Sequence, residues 1–124
     1  MNKQVESYRD LRVWQVGMDI VEACYNLTRT FPKEEIFGFT SQIRRSSASI
    51  PANVAEGYGR QPRGEYVQFL RVARGSSKEL ETHLLLAVRV GLTQEDEIKT
   101  VMSLCDEQGR MLTALIQSVS ERVA

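Results

Sequence analysis

The single histidine of the chain, His83, stands four residues after Glu79. One imidazole is too few for the usual chemistry, because zinc sites draw on several His or Cys ligands and a hydrolytic triad needs base and orienter around a nucleophile. Di-metal carboxylate bundles use Glu-x-x-His pairs, and here Leu80 occupies the place of the glutamate. His83 is therefore expected on a helix surface or at a subunit contact. Ser46, Ser47 and Ser49 have no candidate base close in sequence and read as small packing residues that let another helix approach. Gly57, Gly59 and Gly64 lack the preceding strand and the spacing of a phosphate loop, which leaves a helix-to-helix turn. Cys24 and Cys105 lack metal spacing and fall on apolar helix faces, the habit of small buried hydrophobes in a reducing compartment, so no disulfide is expected. No enzyme activity, cofactor, metal or small-molecule substrate is expected.

Charge is the chemistry that remains. The chain carries 16 basic and 16 acidic residues, a formal net charge of zero, but their distribution is uneven. Residues 44–74 hold Arg44, Arg45, Arg60, Arg63, Arg71 and Arg74 against Glu56 and Glu65, whereas residues 92–124 hold six acids against Lys99, Arg110 and Arg122. Those six arginines are the candidate nucleic-acid-binding residues. Arg63, Arg71, Arg74 and Lys78 also fall at spacings that keep them on one flank of a helix, where a cationic stripe can track phosphates. The same stripe can instead be used up by salt bridges to Glu79, Glu81 or the acidic C-terminal part.

The elements that position these residues are helices. Apolar residues recur at spacings of 3 and 4 in four segments, and nothing alternates with period two long enough to make a strand. The periodicity predicts helices near residues 8–30, 35–57, 63–90 and 94–121, an all-α, antiparallel up-down-up-down four-helix bundle in one domain spanning 1–124 with short flexible ends at about 1–7 and 122–124. The expected core is Trp14, Met18, Ile43, Ile50, Leu70, Leu80, Leu84, Val101, Cys105 and Leu112. In the first helix the stripe is Leu11, Trp14, Met18, Val21 and Tyr25, and Phe31-Pro32 ends it. Pro51 inside the second predicts a kink or local break, with Ser47 or Ser49 satisfying freed groups. Thr93 followed by Asp96 suggests a capping box at the start of the fourth. Phe37, Tyr58, Val67 and Val90 lie off the main seams and are expected to be covered by neighbouring subunits. No apolar run is long enough to span a bilayer, and the start lacks the apolar stretch of a secretory signal, so a cytoplasmic protein with no membrane partner is expected.

Several motifs resemble one family: Leu11-Arg12-Val13-Trp14-Gln15, Phe31-Pro32-Lys33-Glu34-Glu35, Gln42-Ile43-Arg44-Arg45-Ser46, Ser49-Ile50-Pro51-Ala52-Asn53-Val54-Ala55-Glu56-Gly57, and Phe69-Leu70-Arg71-Val72-Ala73-Arg74-Gly75-Ser76. In order and spacing they resemble the bacterial four-helix-bundle family typified by the 23S rRNA intervening-sequence protein. The resemblance implies a left-handed bundle, assembly into a ring-like homopentamer and no known catalytic activity. Family members occur as reading frames inside insertions in 23S rRNA genes, which motivates RNA or DNA as a partner. Two readings follow. A nucleic-acid binder gathers its arginines on one surface, whereas a homo-oligomeric protein-protein interaction scaffold spends them on carboxylates.

Overall fold

Helix α1 (Arg12–Thr28), α2 (Phe39–Tyr58), α3 (Arg63–Arg89) and α4 (Lys99–Val123) make up most of the computed structural model, which describes residues 5–60 and 63–123. No strand occurs among the described residues. Residues 1–4 and 124 of the expected ends, and residues 61–62 of the expected helix-to-helix turn, lie outside them.

Three of the four helices start later than the periodicity predicts, each behind one 3-10 turn: Tyr8–Asp10, Lys33–Glu35 and Glu95–Glu97. Acidic side chains hold these turns. The Asp10 carboxylate accepts the amides of Glu6 and Ser7 at 3.0 and 3.2 Å. The Glu35 carboxylate accepts the amide of Phe39 at 3.2 Å, so it caps α2 from outside instead of opening it. Before α4 the predicted Thr93–Asp96 pair is replaced by Glu97, whose Oε1 accepts the Gln94 amide at 2.9 Å and the Thr93 hydroxyl at 3.0 Å.

Cross-helix pairs fix the directions. Arg45 meets Glu79, Ser49 Oγ lies 2.8 Å from Ser76 Oγ, and Gly57 abuts Tyr66 and Phe69, so α2 and α3 run antiparallel. Arg44 against Thr28 and Pro51 against Gly17 set α1 and α2 antiparallel in the same way. The four helices close a bundle in which α1 lies between α2 and α4, and α3 lies across from it.

The core has two apolar clusters. At the Phe31 end Val16, Ile20, Cys24, Ile43, Ile50, Leu80, Leu84, Ile98, Val101 and Cys105 pack together. At the other end Val13, Val54, Val67, Leu70, Ala73, Leu112, Ile116 and Val119 do so. The buried polar residues Gln108 and Ser77 and the small Gly17 lie where the clusters meet.

Eight of the ten predicted core residues are buried, but Met18 is 45% exposed and Trp14 only half-buried. The reason is that α1 carries two apolar stripes with the same period. Val13, Val16, Ile20 and Cys24 face inward, and Trp14, Met18, Val21 and Tyr25 are displaced around the helix toward solvent. Gly17 marks the inward side: a Cβ there would stand 3.2 Å from Pro51 Cβ, so its absence lets α1 approach α2 closely. Of the kink or local break expected at Pro51, the break does not occur, because α2 continues through it. Ser47 Oγ donates to the Arg44 carbonyl at 2.9 Å and Ser49 Oγ is engaged with Ser76, so neither hydroxyl serves as predicted. Val67, expected at a subunit contact, is buried within the chain, and Tyr58 is half-buried, while Phe37 and Val90 are exposed.

Candidate nucleic-acid interface

The six candidate arginines do not share one surface. Arg44 and Arg45 are adjacent in sequence and therefore about 100° apart around α2, so they leave toward different neighbours. Arg44 Nε donates to Thr28 Oγ1 at 2.8 Å, and its guanidinium lies 4.3 Å from the centre of the Tyr25 ring on α1. Arg45 reaches the other way, donating to Glu79 Oε2 at 2.5 Å and to Gln42 Oε1 at 3.0 Å. Arg60 is held beside Glu56 and Glu65, at 3.4 and 3.7 Å, with its guanidinium 5.2 Å from the Phe69 ring centre. These three are engaged by their own chain.

The other three lie on α3. Arg63 and Arg71 are exposed and have no ion pair among the described residues. Arg74 Nη1 lies 3.4 Å from Thr113 Oγ1 of α4, a weak neutral contact that leaves its charge unopposed. Arg74 and Lys78 line a shallow groove of about 430 Å³ between α3 and α4, where Arg110 joins them from the far wall. Two of these cations have local partners, since Lys78 Nζ is 3.3 Å from Glu81 Oε2 and Arg110 pairs with Asp106. The Arg110–Asp106 pair is exposed on both sides, and such pairs are weak, about 0–1 kcal/mol, and open readily to a phosphate, whereas Glu81 is largely buried and holds Lys78 more firmly. Asp106 is the one carboxylate among the groove residues.

Arg110 was not a candidate from sequence, because it belongs to the acidic C-terminal part. Only the antiparallel register of α3 and α4 brings it opposite Arg74 and Lys78. His83 lies half-buried on α3 with Nε2 3.4 Å from Glu79 Oε2, inside the Arg45–Glu79 cluster. Burial by itself would raise the Glu79 carboxyl, but hydrogen bonds and charge from Arg45 and His83 outweigh it and hold the carboxyl below its usual 4.5. Both thiols are buried and free. Burial first, then the neighbouring Cys105, pushes Cys24 up to about 12, against a lowering hydrogen bond from Ser47. Burial and the Glu81 charge push Cys105 up to about 12, opposed by Ser77 and Lys78. No group of three or more potential metal ligands occurs among the described residues, and no described helix is long and apolar enough to cross a membrane.

The model of the family described as 23S rRNA-intervening sequence protein matches residues 9–114. The chain belongs to that family. Arg63, Arg71, Arg74, Lys78 and Arg110 all fall inside the span that matches the 23S rRNA-intervening sequence proteins. The fold has a solved counterpart in a protein with unknown function from the S23 ribosomal protein family of Bacteroides thetaiotaomicron VPI-5482. It is 24% identical, with a TM-score of 0.78 over 84% of this chain and 97% of that one. At that identity the likeness speaks for the fold alone. No curated protein matches the chain.

Proposed function

We propose that this member of the 23S rRNA-intervening sequence protein family is a non-catalytic, self-associating helical bundle that holds RNA by its phosphate backbone along α3 and α4. The observation that carries this reading is the convergence of Arg74, Lys78 and Arg110 on one groove, with Arg71 and Arg63 unpaired on the same helix. Arg63, Arg71 and Arg74 have no carboxylate partner among the described residues and are available to phosphate oxygens, and the exposed Arg110–Asp106 pair opens to one at little cost. Arg44, Arg45 and Arg60 are engaged within the chain and stand apart from this groove, so this reading rests less on them.

Self-association is supported by apolar surface that one copy does not cover: Met18, Tyr25, Phe37, Leu85, Leu86 and Val90 are all exposed. A closed ring, a homopentamer if it follows the family resemblance, repeats the groove once per copy, so weak single contacts add through effective concentration. A second reading, a protein-protein scaffold without nucleic acid, is favoured by the engaged state of those three arginines and by the formal net charge of zero.

A salt titration of binding to structured ribosomal RNA separates the two. Neutralising about three phosphates per copy gives a log-log slope of roughly −2 to −3 per copy. A flat salt response, or no binding at low salt, favours the scaffold.

A further inference from the structure

We propose that copies of this chain join head to tail, with the Ile36–Phe37 turn of one seated in the apolar groove between α3 and α4 of the next. The proposal rests on the self-association read above and names the surfaces that perform it. Phe37 is 93% exposed, the most exposed large hydrophobic residue among those described, and its neighbour Ile36 is 54% exposed. The turn that presents them is held from both sides. The Ile36 amide donates to the Lys33 carbonyl at 3.1 Å, the Gly38 amide to the Glu35 carbonyl at 2.9 Å, and the Glu35 side chain caps Phe39. A fixed apolar knob loses little freedom when it is covered.

The receptor is at the same end of the molecule. Two adjoining hollows of about 480 and 630 Å³ share Leu85, Glu95 and Ile98, and Leu86, Val88 and Met102 extend their apolar walls. Phe31, just before the knob, and Ala87 and Ile98, beside the groove, belong to one core cluster, which fixes the common level. The knob lies in the α1–α2 connection and the groove across the bundle on the α3–α4 face. A chain therefore cannot fill its own groove, and a knob and a hole on opposite faces at one height generate a heterologous contact that can close into a ring.

Charge fits the same occupant. Lys33 and Glu34 flank the knob, exposed and without ion pairs among the described residues, and the groove rim offers Glu95 and Asp96 for the first and Arg89 and Lys99 for the second, likewise unpaired.

The test is native mass spectrometry of the full chain, of Phe37→Asp and of Leu85→Asp, with circular dichroism melts alongside. Both positions are exposed in the single chain, so the variants are expected to keep the parent's helical signal and a cooperative melt, at a lower midpoint, while their assemblies fall to single chains. A double variant, Phe37→Cys with Leu85→Cys, is expected to give a ladder of covalent multimers on mild oxidation, and neither single cysteine variant is expected to do so. A parent chain that is itself monomeric overturns the self-association reading. A parent assembly that survives Phe37→Asp intact, or a double-cysteine variant whose cross-linking stops at two chains, overturns the head-to-tail contact and leaves self-association standing.

Discussion

The side-chain amide of Gln108 donates to the main-chain carbonyl of Val13 at 2.7 Å, tying α4 to α1 where the two core clusters meet. Gln108 is fully buried and its Oε1 has no partner among the described residues, so it carries both a bond and an acceptor unmet by them. Gly17 lies beside the contact, where a Cβ would meet Gln108 Nε2 at an ordinary 3.4 Å. Truncation to Ala removes the bond and leaves a void, which costs about 2–4 kcal/mol. Leu at the same position fills the space and removes the unmet acceptor, so Gln108→Leu is expected to retain most of the stability that Gln108→Ala loses. Urea unfolding of the two variants checks the order.

Helices α2 and α3 come close together at Gly57, where a Cβ would stand 2.6 Å from Phe69 Cβ and 3.0 Å from Tyr66 Cδ1. Neither atom is the loose end of a flexible chain. Gly57→Ala gains helix propensity of about 1 kcal/mol at most, and overpacking of about 1–3 kcal/mol opposes it. Net destabilisation is expected, read as a lower urea midpoint at unchanged m-value.

The Arg45–Glu79 pair predicts a specific acid response. Glu79 titrates below its ordinary 4.5 when folded. Its stabilisation is therefore complete above the unfolded carboxyl range and is lost as pH falls through the lower folded value. Both side chains are substantially exposed, so the pair is worth less than about 1 kcal/mol. Arg45→Ala is expected to move the Glu79 midpoint up toward 4.5, measured by carboxyl-carbon NMR, and to make stability between pH 3 and 5, roughly, less dependent on pH.

Both thiols stay protonated and enclosed at neutral pH, pushed up to about 12 by burial. An aromatic disulfide reagent is expected to modify Cys24 and Cys105 only as fast as the chain opens, so that the rate rises in step with urea. Fast modification in the absence of denaturant would contradict the burial.

How much of this was legible in the sequence depends on the element. The spacing on α3 predicts a buried stripe of Tyr66, Leu70, Ala73, Ser77, Leu80, Leu84 and Ala87, and the structure buries it from Leu70 on, but leaves Tyr66 half-buried and buries Val67 instead. The stripe of α1 does not, because its two apolar stripes share a period and nothing local ranks them; Gly17 and its fit to Pro51 decide. Gln108 falls in the register of Cys105 and Leu112, three and four residues away, yet its polarity argues for the surface. Arg44 and Arg45 look like one basic patch in the linear chain and are pulled to opposite neighbours by the helix turn. Arg110 enters the groove only through the register between α3 and α4, which is tertiary information.

Phosphate contact along α3 and α4 is decided by comparing two neutralised variants of equal net charge, Arg71→Gln with Arg74→Gln and Arg45→Gln with Arg60→Gln, in low-salt binding to structured ribosomal RNA. The first pair is expected to lose about tenfold or more in affinity and to flatten the salt slope by about one to two per copy, while the second pair stays near the parent. Equal losses in the two variants, or an unchanged salt slope in the first, would contradict the phosphate-tracking groove.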